Sequence, residues 1–273
     1  MVSFFTKTSI GYSHIKAQKP CQDYSASYHD EERTIITACD GHGGDIYVRS
    51  AFGSKFASDA AINVLKNVSR TDFYKHTVKE ICDSIRLKIL CDWNQAVSEH
   101  IAKKRISGRE TEHLSQDKRI KLIKSPEKAY GTTLNAAMIY GNKLICVSIG
   151  DGGILVTKRG AIAEVFADEE EPVANLTHSM CQEDAYDYLR VGIYDFQQLD
   201  GVILCTDGVI NPYRCLDNFR DSFVKPIIVK LLEGKTEQIN SFITELGTTI
   251  GSGDDVTFAA AIKSNISLRG YMK

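Results

Sequence analysis

A carboxylate, a bare backbone and an imidazole follow directly on one apolar, β-branched run. Residues 33–39 lead into Asp40-Gly41-His42-Gly43-Gly44, and apolar residues then recur at helical spacing from Asp45 to Val68. A chain with this pattern makes a buried strand that stops at a strand-to-helix turn, with Asp40 and His42 projecting from the strand end. The glycines let the backbone come close to a ligand or take positive φ. Alone, such a turn is also ordinary loop punctuation, but the pattern returns. Residues 201–206 form an apolar run ending in Asp207-Gly208, and Lys143 to Ile149 leads into Gly150-Asp151. Asp254-Asp255 precedes the run from Val256 to Ile262, and Gln22-Asp23 opens a further short segment.

Acidic residues therefore gather at strand ends rather than on helix faces. Carboxylates crowded at one sheet edge raise each other's pKa and are normally neutralised by cations. Hard oxygen donors favour magnesium or manganese, which keep several waters and need few protein carboxylates.

In order along the chain, Gln22-Asp23, Asp40 to Gly44, Gly131-Thr132-Thr133, Gly150-Asp151, Thr206-Asp207-Gly208 and Gly253 to Thr257 resemble the metal-dependent serine/threonine protein phosphatases of the 2C type, particularly their bacterial branch. The resemblance spans nearly the whole chain. It implies an α+β, four-layer α-β-β-α sandwich of two mainly antiparallel sheets flanked by helices. It also implies hydrolysis of phosphoserine and phosphothreonine in proteins by a metal-bridging hydroxide. Asp40 would bridge two Mn2+ or Mg2+ ions, the Gly41 carbonyl would contact one, and Asp207 and Asp254 would hold the other. Asp23 would orient metal-bound water with Gln22 beside it, Asp151 would serve a third, weaker metal position, and His42 would be the general acid. An imidazole with an ordinary pKa of about 6.5 suits protonation of the departing serine or threonine oxygen.

Two departures qualify the resemblance. Many members carry an arginine four residues before Gln22, where this chain has Gln18; Lys16, Lys19 and His14 are the candidates to hold the substrate phosphate instead, although lysine offers a point charge rather than a fork. The common form also has serine and arginine after the aspartate of Gly150-Asp151, where this chain has Gly152 and Gly153. They leave open a pseudophosphatase acting as a binding or sensing module; a hydrolase of small phosphate esters is a further alternative, because nothing in the sequence defines a peptide groove.

With 273 residues, 43% hydrophobic, the chain can bury a large core, and ligand candidates spread from Asp23 to Asp254 point to one catalytic domain over residues 1–265 with a tail at 266–273. A net charge of −2 gives no general attraction to nucleic acid or anionic membrane. Without a long apolar run or signal-like start, a soluble, cytoplasmic monomer is expected, acting on phosphorylated proteins opposite a cognate kinase. The eight cysteines show no CxxC spacing and read as buried reduced thiols.

Strands are expected near 3–12, 23–29 and 33–39, then helices over 45–68 and from Thr71 to about Lys104, the second with Tyr74, Val78 and Trp93 on its buried face. Four strands between Gly131 and Phe166 read as a β-meander, followed by a helical block at 217–246 broken near Pro226 and Gly234 and a last strand at 256–262. Residues 103–128 hold nine Lys or Arg against four Asp or Glu and read as an exposed basic insertion. An acidic flap-like segment is expected at about 168–190, with seven acidic and no basic side chains in 168–187.

Overall fold

The computed structural model describes residues 1–166 and 177–272. Its strands are β1 (Val2–Ser9), β2 (Tyr24–His29), β3 (Arg33–Cys39), β4 (Leu134–Tyr140), β5 (Lys143–Ile149), β6 (Gly153–Lys158), β7 (Ala161–Glu164), β8 (Arg190–Asp195), β9 (Gly201–Cys205) and β10 (Val256–Lys263). They form two five-stranded antiparallel sheets, ordered β1-β10-β9-β6-β7 and β2-β3-β4-β5-β8. The helices are α1 (Tyr12–Lys16), α2 (Ser50–Lys66), α3 (Asp72–Lys75), α4 (Val78–Lys103), α5 (Gln116–Lys124), α6 (Ala185–Tyr188), α7 (Asp207–Ile210), α8 (Leu216–Phe219), α9 (Lys225–Leu232) and α10 (Thr236–Leu246).

Alternation along the central strands builds three cores, because successive side chains point to opposite faces. Ile36, Ala38, Ala137, Ile139, Leu144, Cys146, Val202, Leu204, Ala259 and Ala261 meet between the sheets. Their neighbours Ile35, Ala136, Met138, Ile145 and Val147 pack beneath α2 and α4. On the far side Ile203, Cys205, Phe258, Ala260 and Ile262 pack beneath α8, α9 and α10. The result is the expected α+β sandwich of four layers. Trp93 lies fully buried in the first helical core, its indole N–H donating to the Gly53 carbonyl at 3.1 Å.

Three local expectations differ from the structure. The meander is split: β4 and β5 belong to one sheet, β6 and β7 to the other. The chain crosses at Gly150, whose φ of +108° suits glycine, and at Gly152, where a Cβ would lie 2.6 Å from the Cys205 carbonyl oxygen. The long helix breaks between α3 and α4, because Thr77 and Glu80 form a capping box that starts α4 afresh. Tyr74 and Val78 are consequently exposed. Strand β8 was not anticipated. All eight cysteines are free, and Cys91 and Cys215 are exposed rather than buried. Part of the acidic flap-like segment, residues 168–176, lies outside the described residues.

The basic segment is a folded part of the helical layer. Leu114 and Leu122 enter its core, and the Arg49 guanidinium, almost wholly buried, donates to both Glu110 carboxylate oxygens, to the carbonyls of Lys104 and Arg105, and to the Tyr130 hydroxyl. Hydrogen bonding from Arg49, helped by Ser107, holds the Glu110 carboxyl down at about 2, from an ordinary 4.5. A depressed carboxyl contributes stability above its unfolded pKa and loses that contribution as pH falls through its folded pKa. Melting between pH 5 and pH 2 is therefore expected to show a steeper loss of stability in the wild type than in Glu110→Gln; parallel curves would mean the pair contributes nothing.

Candidate active site

Asp40 sits one residue beyond β3 with both backbone groups tied to the start of β4. Its N–H donates to Thr133 Oγ1 at 3.0 Å, and its carbonyl accepts from the Thr133 N–H at 2.8 Å and from Thr132 Oγ1 at 2.7 Å. The Gly41–Thr132 bridge continues the ladder one step further. Gly41 runs against the neighbouring segment so closely that a Cβ would lie 2.3 Å from the Gln22 carbonyl oxygen, so only glycine fits there. His42 is held through its N–H to the Gly131 carbonyl at 3.1 Å, and its ring meets Tyr47 edge-on, with centroids 4.9 Å apart.

The other carboxylates converge on this edge from both sheets, Asp23 just before β2 and Asp151 after β5 in the sheet of β3, Asp207 and Asp254 beside β9 and β10 in the other. Asp207 opens α7 directly after β9 and accepts from Asn211 Nδ2 at 3.0 Å. Asp23 is buried and accepts from Thr206 Oγ1 at 3.1 Å. Burial, then the charges of Asp23 and Asp207, push the Asp40 carboxyl far above the usual range, and its side chain is within hydrogen-bonding reach of Asp207. Burial raises Asp207 as well, Asp151 and Asp254 adding to the effect while the bond to Asp40 opposes it. Asp23 is raised by burial and by Asp255. Burial lowers the His42 pKa, partly offset by Asp151. Asp151 and Asp254 are themselves exposed, and Asp151 accepts from the Thr177 hydroxyl.

The structure thus brings together Asp23, Asp40, Gly41, His42, Asp151, Asp207 and Asp254. The donor set fits a hard divalent cation on two grounds. The groups acting most strongly on Asp40 are its own burial and three other carboxylates, all of which raise its pKa, as expected where a cation balances the charge. Gln22 Oε1 is buried without a hydrogen-bond partner among the described residues, while its amide donates to Ser50 Oγ at 2.6 Å, leaving an acceptor free beside the Gly41–Gly43 turn. Among the described residues no three His, Cys, Asp or Glu side chains lie close enough together to hold a metal ion by themselves.

The candidates for gripping phosphate are placed differently from one another. His14 is buried, with Nδ1 2.8 Å from Asp255 Oδ2. Lys16 and Lys19 are exposed, and Gln18 between them takes a left-handed φ of 53°. Sequence reasoning missed the role of Asp255. It is buried and accepts from the backbone N–H groups of Gly11 at 2.7 Å and Gln22 at 2.6 Å, fixing Gln22-Asp23 against the start of β10. Its partners lie more than 200 residues away in sequence, and the acidic pair Asp254-Asp255 was the only signal.

Comparison with known proteins bears on the fold and the family. The family model described as protein phosphatase 2C matches residues 10–243, a span that contains Asp23, Asp40, His42, Asp151 and Asp207. No curated protein matches the chain in sequence. Among solved structures, a bacterial serine phosphatase is similar with a TM-score of 0.65 and 17% identity, over 98% of this chain and 100% of that one. Stp1 from Staphylococcus aureus gives 0.57 and 14% over 96% and 95% of the two chains. The catalytic domain of PstP, solved in complex with 2 manganese ions, gives 0.53 and 15% over 96% and 97%. Similarity at these identities establishes a shared fold. The family match, made on the sequence and spanning most of the chain, establishes more: this chain belongs to the protein phosphatase 2C family.

Proposed function

We propose that the chain is a Mn2+- or Mg2+-dependent hydrolase of phosphoserine and phosphothreonine in proteins, with Asp40, the Gly41 carbonyl, Asp207 and Asp254 holding two ions and Asp151 serving a weaker third. The observation that carries this reading is the convergence of Asp40 and Asp207 from different sheets, each raised by burial and neighbouring carboxylates. The manganese ions bound by the similar PstP domain support the choice of metal. When bound, two such ions lower the pKa of water and screen the negative oxygens of a phosphate ester.

The chain's own residues do the rest. Thr132 and Thr133 fix the Asp40 backbone and so the strand end from which its carboxylate projects. Gln22 and Asp23 supply acceptors that orient water. His42, set by Gly131 and Tyr47, gives a proton to the departing serine or threonine oxygen. Tyr47 packs edge-on against that imidazole.

Calorimetric titration with Mn2+ tests the ligand set. Saturable binding of two ions, reduced by Asp207→Asn, is expected; no binding by folded protein would overturn the proposal. Gln18 in place of an arginine favours one second reading, a module that binds phosphoprotein without hydrolysing it. Metal binding combined with no turnover of a phosphopeptide would select that reading. Faster turnover of a small aryl phosphate than of any phosphopeptide would instead select a small-ester hydrolase.

A further inference from the structure

The basic segment between α4 and β4 leans on the catalytic turn. Lys118 Nζ, on α5, lies 2.9 Å from Asp45 Oδ2, and His113 Nε2 lies 3.3 Å from the Asp45 carbonyl oxygen. The Asp45 carboxyl is held below the usual range by Lys118, with the charges of His113 and Lys19 adding to the effect. Asp45 is only three residues past His42, and three residues of chain span at most about 11 Å. The segment is held in place by the ion pair of Glu110 with the buried Arg49 and by Leu114 and Leu122. Lys121, one helical turn beyond Lys118, shares its side of α5 and is exposed, as is Lys118. Asp45 is the ion-pair partner of Lys118, and with nine basic against four acidic residues over 103–128 the segment as a whole keeps a positive surplus beside the catalytic turn.

We propose that this surface is a substrate-selecting rim, and that it favours phosphoprotein segments with acidic residues about three positions from the phosphorylated one, since an extended chain covers about 3.3 Å per residue. The inference rests on the phosphatase reading and names the substrate class for it. Charge complementarity supplies selection, and Asp45 holds Lys118 in place when no substrate is present.

The test uses phosphothreonine peptides that differ only in carrying Glu, Gln or Lys three positions away on either side, together with a small aryl phosphate. The wild type is compared with the Lys118→Gln/Lys121→Gln double variant, and with Lys235→Gln as a charge control beyond the far helical layer. The wild type should prefer the Glu peptide over the Lys peptide in kcat/KM, mainly through KM. The preference should weaken as salt rises, and the double variant should reduce it about fivefold, the size exposed ion pairs support. Lys235→Gln should leave it intact. Equal kcat/KM for the three peptides, or an undiminished preference in the double variant, overturns the proposal. Fluorescence anisotropy of the Glu peptide in EDTA reads binding without turnover. If neither peptides nor aryl phosphate are hydrolysed, the phosphatase reading fails, while weaker Glu-peptide binding by the double variant would still support the rim.

Discussion

Asp40→Asn is expected to reduce metal-dependent phosphate release by roughly a thousandfold and, at the same time, to raise the melting temperature of the metal-free protein. Both results follow from one arrangement. Asp40 is pressed by its burial and by Asp23, Asp207 and Asp151, so removing its charge relieves repulsion when no cation is present. In the proposed site the same charge would be the ligand that draws the ions in, and losing it would forfeit several kcal/mol of stabilisation in the transition state. Added Mn2+ should raise the melting temperature of the wild type, because a ligand that binds only the folded state stabilises it, and should leave the variant nearly unmoved. A variant that is destabilised without metal would mean that Asp40 is a structural hydrogen-bonding residue and not one of a set of repelling ligands.

Gly152→Ser places the residue of the common family form into this chain, yet it is expected to destabilise the protein by about 3 kcal/mol rather than to restore activity. A Cβ at Gly152 would lie 2.4 Å from Asn135 Nδ2 and 2.6 Å from the Cys205 carbonyl oxygen. Asn135 can swing aside, at the cost of its 3.4 Å hydrogen bond to the Cys205 carbonyl and of disturbing its 2.8 Å bond from Ser148 Oγ. The Cys205 carbonyl belongs to β9, in the ladder that positions Asp207, and cannot move alone. The expected fall in melting temperature is roughly 6 °C or more for a chain of this size. An unchanged melting temperature would show that the crossing between sheets has room to spare and that Gly152 is not a packing requirement.

The parts of the site legible in the sequence were those written in consecutive residues. Asp40 to Gly44, Thr206 to Gly208 and Asp254-Asp255 each combine a strand end with its carboxylate, so both the position and the chemistry are local. The parts that were not legible depend on what meets what across the sandwich. Asp255 looked like a companion of Asp254, but its partners Gly11, Gln22 and His14 come from the other end of the chain. His14 looked like a phosphate ligand because it is near Gln22 in sequence, and only the packing shows it turned toward Asp255. The meander was misread because alternation reports which faces are buried and not which sheet a strand joins, and strands β4 to β7 alternate equally well in either arrangement. The break before α4 was legible in Thr77 and Glu80, but the apolar repeat from Phe73 onward ran across it and masked the cap.

The central claim is that the carboxylate edge binds divalent ions that make phosphate-ester hydrolysis possible. The most direct measurement is phosphate release from a phosphothreonine peptide at neutral pH with Mn2+, Mg2+ or EDTA, run beside Asp207→Asn. The account predicts release with either cation, none in EDTA, and a loss of at least about a hundredfold in the variant, whose melting should remain cooperative. Release that persists in EDTA, or that survives Asp207→Asn unchanged, would contradict it.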